Sequence, residues 1–185
     1  MTFFRIAFVC VLLASPVAAA GPPLVDGTLP AMTLPAPTTP ESRRYLGIDE
    51  AETFTIPGID ADVVIIEVFS MYCPHCQREA PQVNTLYQLM ADHPERGDRL
   101  KLIGIGAGNS SFEVDYFRKT YDVPFPLIPD GDFVLHKALG EVRTPYFLAV
   151  RLFPDGTHRV IYSKLGAFEN PASFLDLILS RSGLQ

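Results

Sequence analysis

Asp62-Val-Val-Ile-Ile-Glu67-Val-Phe-Ser-Met-Tyr-Cys73-Pro-His-Cys76 changes character halfway along its length. Its first part, Asp62–Ser70, is β-branched and almost continuously apolar, which predicts a strand covered on both faces. From Cys73 the pattern turns helical and predicts a helix to Asp92, with Leu86, Leu89 and Met90 on one side. Two cysteines at i and i+3 on a first helical turn share a face and lie within disulfide reach. Cys73 also sits where free N–H groups and the helix dipole stabilise an anion. That position lowers a thiol pKa, so Cys73 is the expected nucleophile and Cys76 the expected resolving thiol.

Outward from this junction the chain alternates in type. Leu100–Gly106 reads as a second buried strand, and Ser111–Tyr121 as an amphipathic helix that Ser110 or Ser111 can cap. Phe133–Leu139 reads as a short helix. Tyr146–Phe153 and Thr157–Ser163 read as strands joined at Pro154-Asp155-Gly156. Asn170, Pro171 and Gly183 mark the start and end of a closing helix. Thr53–Ile56 completes the set as a short edge strand. This order implies an α/β domain, a mixed sheet with helices on both faces.

The N-terminal part has a different composition. Arg5 is the only charge before Asp26, Ile6–Ala14 is nearly all apolar, and Ala18-Ala19-Ala20 offers a small-residue cleavage site. Residues 1–20 therefore read as a signal peptide, with no stable membrane insertion after cleavage. Pro22, Pro23, Pro30, Pro35, Pro37 and Pro40 make residues 21–44 a proline-rich leader, expected to be extended and mobile. The folded domain is expected over residues 45–185.

Cleavage would remove Cys10 and leave Cys73 and Cys76 of the three cysteines. One closely spaced pair closes too small a loop to contribute much stability, so chemistry explains it better. A zinc site needs four ligands, but there is no second CxxC, and His93, His136 and His158 are scattered. Haem attachment requires a histidine where Gln77 stands. With a formal charge of −6 and no basic run, nucleic-acid binding is not expected.

The segment from Glu67 to Cys76 resembles the active site of the thioredoxin superfamily, and its Cys-Pro-His-Cys motif is most similar to that of the DsbA-type oxidases. Pro81 falls where that superfamily kinks its first helix, and Thr144-Pro145 resembles its cis-proline. From about residue 45 onward, the order of elements is similar to the TlpA/ResA branch of periplasmic thioredoxin-like proteins. The resemblance implies a thioredoxin-like fold with a small insertion between the first βαβ part and the cis-proline strand. It also implies a periplasmic enzyme that exchanges disulfides with protein substrates and is recycled by a membrane redox partner. No cofactor beyond the redox-active Cys73–Cys76 disulfide is called for.

The resemblance and the residues together assign roles. Glu67 lies among apolar strand neighbours, where ionisation is costly; its pKa should rise, and it can take the Cys76 proton. His75 can offer a hydrogen bond or a charge to the Cys73 thiolate. A cis bond at Pro145 would turn the Thr144 backbone towards a substrate chain docked like a strand. Tyr72 and Pro74 flank the nucleophile as further substrate-binding positions.

The direction of exchange stays open. A lower Cys73 pKa makes the disulfide more oxidising; the Pro74-His75 pair points that way, while the TlpA/ResA-like order points to a reductant. Two rival classes share the fold. A peroxiredoxin-like peroxidase would have proline where Ile66 stands, although Ser70 fits its pattern. A copper chaperone resembling the Sco proteins would use both cysteines with His136 or His158, but with a wider cysteine spacing.

Overall fold

The computed structural model describes residues 21–48 and 51–184. The expected signal peptide, with Cys10, lies outside them. The elements are β1 (Leu34–Pro35), α1 (Pro40–Leu46), β2 (Thr53–Phe54), β3 (Val63–Phe69), α2 (Pro74–Ala91), β4 (Leu100–Ala107), α3 (Ser111–Thr120), β5 (Leu127–Asp130), α4 (Val134–Ala138), β6 (Tyr146–Leu152), β7 (His158–Leu165) and α5 (Pro171–Ser182).

Five strands form the central sheet in the order β5-β4-β3-β6-β7. β3, β4 and β5 run parallel, whereas β6 is antiparallel to β3 and β7 antiparallel to β6. All seven residues of β3 and all eight of β4 are buried, as a sheet covered on both faces demands. Val64, Ile66 and Val68 face one apolar layer together with Leu46 of α1 and Leu135 of α4. Val63, Ile65 and Phe69 face the other, built from α2, α3 and α5. Strand side chains alternate with period two, so Glu67 falls on the second face, beneath α2.

The helix ends follow local chemistry. Ser110 and Glu113 form a reciprocal capping box on α3. Asn170 accepts from Ser173 N–H, Pro171 opens α5, and Gly183 closes it in the left-handed conformation.

Three sequence expectations change. Residues 21–44 were expected to be mobile, yet they lie along the sheet as part of the fold. The Asp26 N–H donates to the Val160 carbonyl and the Val160 N–H to the Gly27 carbonyl, each at 2.8 Å, along the edge of β7. Leu29 and Leu34 are buried, and β1 pairs antiparallel with β2. Proline removes its own donor but leaves its neighbours' groups free to pair, and the leucines supply apolar surface to bury. Gly140, at φ +83°, shows how closely the leader sits: a Cβ there would lie 2.4 Å from Gly21 carbonyl carbon. Leu34→Ala is therefore expected to cost roughly 2–3 kcal/mol, read from the urea midpoint. A truly mobile leader would leave that midpoint unmoved.

Strand β5 has no counterpart in the sequence reading; it lies at the sheet edge, where Pro129 within it is tolerated. Leu89 is exposed, and the inner face of α2 is instead made by Ala80, Val83, Leu86 and Met90.

Candidate active site

The end of β3 delivers the chain to a turn at Ser70–Tyr72, after which α2 begins. Cys73 is the N-cap of that helix, and its Sγ accepts the Cys76 N–H at 3.4 Å. Pro74 occupies the first helical turn, where no N–H is needed. Both cysteines are free thiols, Cys73 partly exposed and Cys76 buried. Opposite them, the Thr144–Pro145 peptide bond is cis. The Cys73 S–H lies 3.5 Å from the Thr144 carbonyl oxygen, to which it donates in the thiol form.

The two thiols are driven apart electrostatically. Burial pushes the Cys73 thiol up, but hydrogen bonds from the Thr144 and Cys76 side chains and from the Cys76 and His75 backbone N–H groups outweigh it. Cys73 consequently lies below the ordinary thiol value. Burial drives the Cys76 thiol far upward, reinforced by its hydrogen bond to Cys73 and by the Glu67 charge and opposed by the Ser70 backbone. One sulfur is thus available to attack while its neighbour holds its proton.

Glu67 is 3% exposed and, among the described residues, its Oε1 has no hydrogen-bond partner. Burial first, then the charges of Glu79 and Cys73, push its carboxyl up to about 8. Glu79 had no place in the sequence reading. It is buried on α2, its Oε1 accepts the Phe168 N–H at 3.3 Å, and burial raises its pKa as well. The available signal was its spacing: Glu79 follows Cys76 by three residues and so shares its helix face.

His75 is placed differently from expectation. Its exposed ring receives a hydrogen bond at Nδ1 from Arg78 at 2.9 Å, since a guanidinium can only donate. What His75 supplies to the Cys73 sulfur is its backbone N–H. Tyr72 is 65% exposed at the rim, and its hydroxyl donates to Glu113 at the start of α3. Pro74 is exposed beside it.

The histidines named for a copper site are engaged elsewhere. His136 Nε2 bonds the Val142 carbonyl at 2.8 Å, and His158 Nε2 accepts the Leu29 N–H at 3.1 Å. Among the described residues no group of three or more His, Cys, Asp or Glu side chains is placed to hold a metal ion, and no helix is long and apolar enough to cross a membrane.

Comparison with known proteins agrees with this geometry. The family model of the AhpC/TSA family matches residues 28–162. The thiol-disulfide oxidoreductase ResA of Halalkalibacterium halodurans is 27% identical over 91 residues, which cover 49% of this chain and 49% of ResA. The chain thus spans about half the length of the curated relative it matches. The crystal structure of StoA from Bacillus subtilis superposes with a TM-score of 0.53 at 20% identity, covering 69% of this chain and 90% of StoA. A secreted Mycobacterium tuberculosis disulfide oxidoreductase homologous to E. coli DsbE gives 0.55 at 19% identity, with 80% and 95% covered. The fold is thioredoxin-like.

Proposed function

Because the chain belongs to the AhpC/TSA family, we propose that it is a thiol–disulfide oxidoreductase acting on protein substrates through Cys73 and Cys76. The observation that carries this reading is the polarised pair: a partly exposed Cys73 thiol held below its ordinary pKa beside a buried Cys76 thiol held above it. The likeness to ResA, a thiol-disulfide oxidoreductase by name, supports the same chemistry.

In the reducing direction, the Cys73 thiolate attacks one sulfur of a substrate disulfide. The substrate S–S bond breaks, one substrate sulfur leaves as thiolate, and a mixed disulfide forms. Cys76 then loses its proton to a buried carboxylate and attacks the Cys73 sulfur. This releases the second substrate thiolate and leaves the Cys73–Cys76 disulfide. Run backwards, the same steps oxidise a substrate dithiol, and the Cys73 thiolate stability sets which direction prevails. Two electrons pass from the Cys73–Cys76 pair to the two substrate sulfurs, and no bound cofactor is invoked.

Glu67 is the proposed proton carrier, with Glu79 as the second acid that keeps it poised near neutral pH. The Thr144 carbonyl lies beside the nucleophile, so a substrate segment lying along Thr144-Pro145, with Tyr72 and Pro74 at the rim, presents its sulfur to Cys73. In this reading the enzyme works in the periplasm after loss of residues 1–20, and a membrane-bound dithiol partner restores its redox state.

Cys76→Ser tests the proposal. It keeps the nucleophile and removes the resolving thiol, so the reduced variant should accumulate a mixed disulfide with a disulfide-bonded protein substrate, visible as a reducible covalent adduct by mass. Absence of any adduct would sink the assignment of Cys73 and Cys76. Peroxide consumption at rates matching disulfide exchange would instead favour a peroxidase.

A further inference from the structure

The turn ahead of the nucleophile is held by a residue far away in sequence. Asn109, in the loop after β4, is 0% exposed. Its Oδ1 accepts the Met71 N–H at 2.8 Å, and its Nδ2 donates to Ser70 Oγ at 3.4 Å. Its backbone is fixed as well: the Asn109 N–H donates to the Gly106 carbonyl at 3.0 Å and the Asn109 carbonyl accepts the Asp130 N–H at 3.1 Å. The turn is gripped on its other side by Gln77 of α2, whose Nε2 donates to the Met71 carbonyl at 2.7 Å. The Ser70 carbonyl in turn accepts the Cys73 N–H at 3.0 Å. A buried amide is costly unless bonded, and this one directs both ends of its side chain at Ser70 and Met71, in the turn that leads into the redox motif.

We propose that Asn109 is a positioning residue for disulfide exchange, fixing the Ser70–Met71 turn so that Cys76 is presented correctly to the Cys73 sulfur in the resolving step. The inference rests on the roles given above to Cys73 and Cys76. Ser70 bears on both halves of the pair: its carbonyl accepts the Cys73 N–H at 3.0 Å, and its backbone draws the Cys76 thiol pKa down. That backbone influence favours the Cys76 thiolate in an otherwise opposing environment, where burial and the charges of Glu67 and Cys73 all disfavour it. Cys73 draws its own stabilisation from Thr144, Cys76 and His75 instead. Loosening the turn should therefore slow resolution and spare attack.

Single-turnover exchange with a disulfide-linked peptide separates the two steps, with mixed disulfide followed by acid quench and mass. Asn109→Ala should form the mixed disulfide at close to the wild-type rate and resolve it about tenfold more slowly, the size expected for losing a buried side-chain hydrogen bond to the turn. Alkylation of Cys73 by iodoacetamide should be unchanged. Wild-type resolution, or equal slowing of both steps, overturns the inference. If Asn109→Ala does not fold, Asn109→Asp retains the acceptor for Met71 N–H and places a buried charge that opposes the Cys76 thiolate; it too should slow resolution alone, and unaltered resolution again overturns the inference. Should Cys73→Ser retain exchange, the underlying assignment fails. If Cys73→Ser is inactive and the Asn109 variant resolves normally, this inference alone falls.

Discussion

Cys73→Ser should abolish disulfide exchange, a loss of roughly a thousandfold or more, because a hydroxyl supplies no significant anion near neutral pH whereas a thiolate is the attacking species. The substitution is nearly isosteric and Cys73 is partly exposed at a helix N-cap, a position where serine caps equally well. Thermal unfolding should hardly move, so loss of activity would report chemistry rather than folding. The pH dependence sharpens the test. Alkylation of wild-type Cys73 by iodoacetamide rises with pH as the thiolate forms, and its midpoint should lie below that of an unperturbed thiol. In Cys76→Ala that midpoint should move up, since the Cys76 side chain is one of the donors holding Cys73 down. A Cys73→Ser protein that still exchanges disulfides at the wild-type rate would falsify the mechanism.

Glu67→Gln should change both stability and turnover. The Glu67 carboxyl is raised from 4.5 to about 8 in the folded chain. Between those values the unfolded state releases a proton that the folded state keeps, so stability is fully present below pH 4.5 and is lost as pH rises towards 8. This one group is expected to remove roughly 3–4 kcal/mol between pH 5 and 8. Glutamine cannot titrate, so the variant should lose that slope. For a chain of this size the difference amounts to about 10 °C in how far Tm falls over the same interval. Exchange should slow by about tenfold or more at pH 7, with the loss in the step that deprotonates Cys76. An unchanged pH slope of Tm would place the ionised carboxylate in the native state and remove Glu67 as the proton carrier.

Much of the site is legible in the sequence because its defining features are local. The β-branched run before Cys73, the i, i+3 cysteines and Pro74 on the first turn all act within one strand–helix junction. Glu67 could be read as buried from its apolar neighbours. The misreadings involve partners distant in the chain. The proline-rich leader looks mobile by composition, but Leu29 and Leu34 find a sheet face and edge to cover. The edge strand β5 exists only because β4 lies beside it. His75 reads as a partner for the Cys73 thiolate until Arg78 is seen to hold its ring. Glu79, next to Arg78, shows its burial only through its spacing from Cys76, and its partner only when the Phe168 N–H is seen to donate to its carboxyl.

By itself the sequence determined where the redox pair sits and which sulfur attacks, since both follow from the first turn of a helix and its unpaired N–H groups. The tertiary structure alone decided how the pair is tuned. Strand parity puts Glu67 beneath α2, the chain's return brings Phe168 to Glu79 and Thr144 to Cys73, and Asn109 reaches back to the turn at Ser70–Met71. Those effects arise from desolvation and from hydrogen bonds between residues far apart in sequence. Such terms have no value until the sheet has assembled and excluded water.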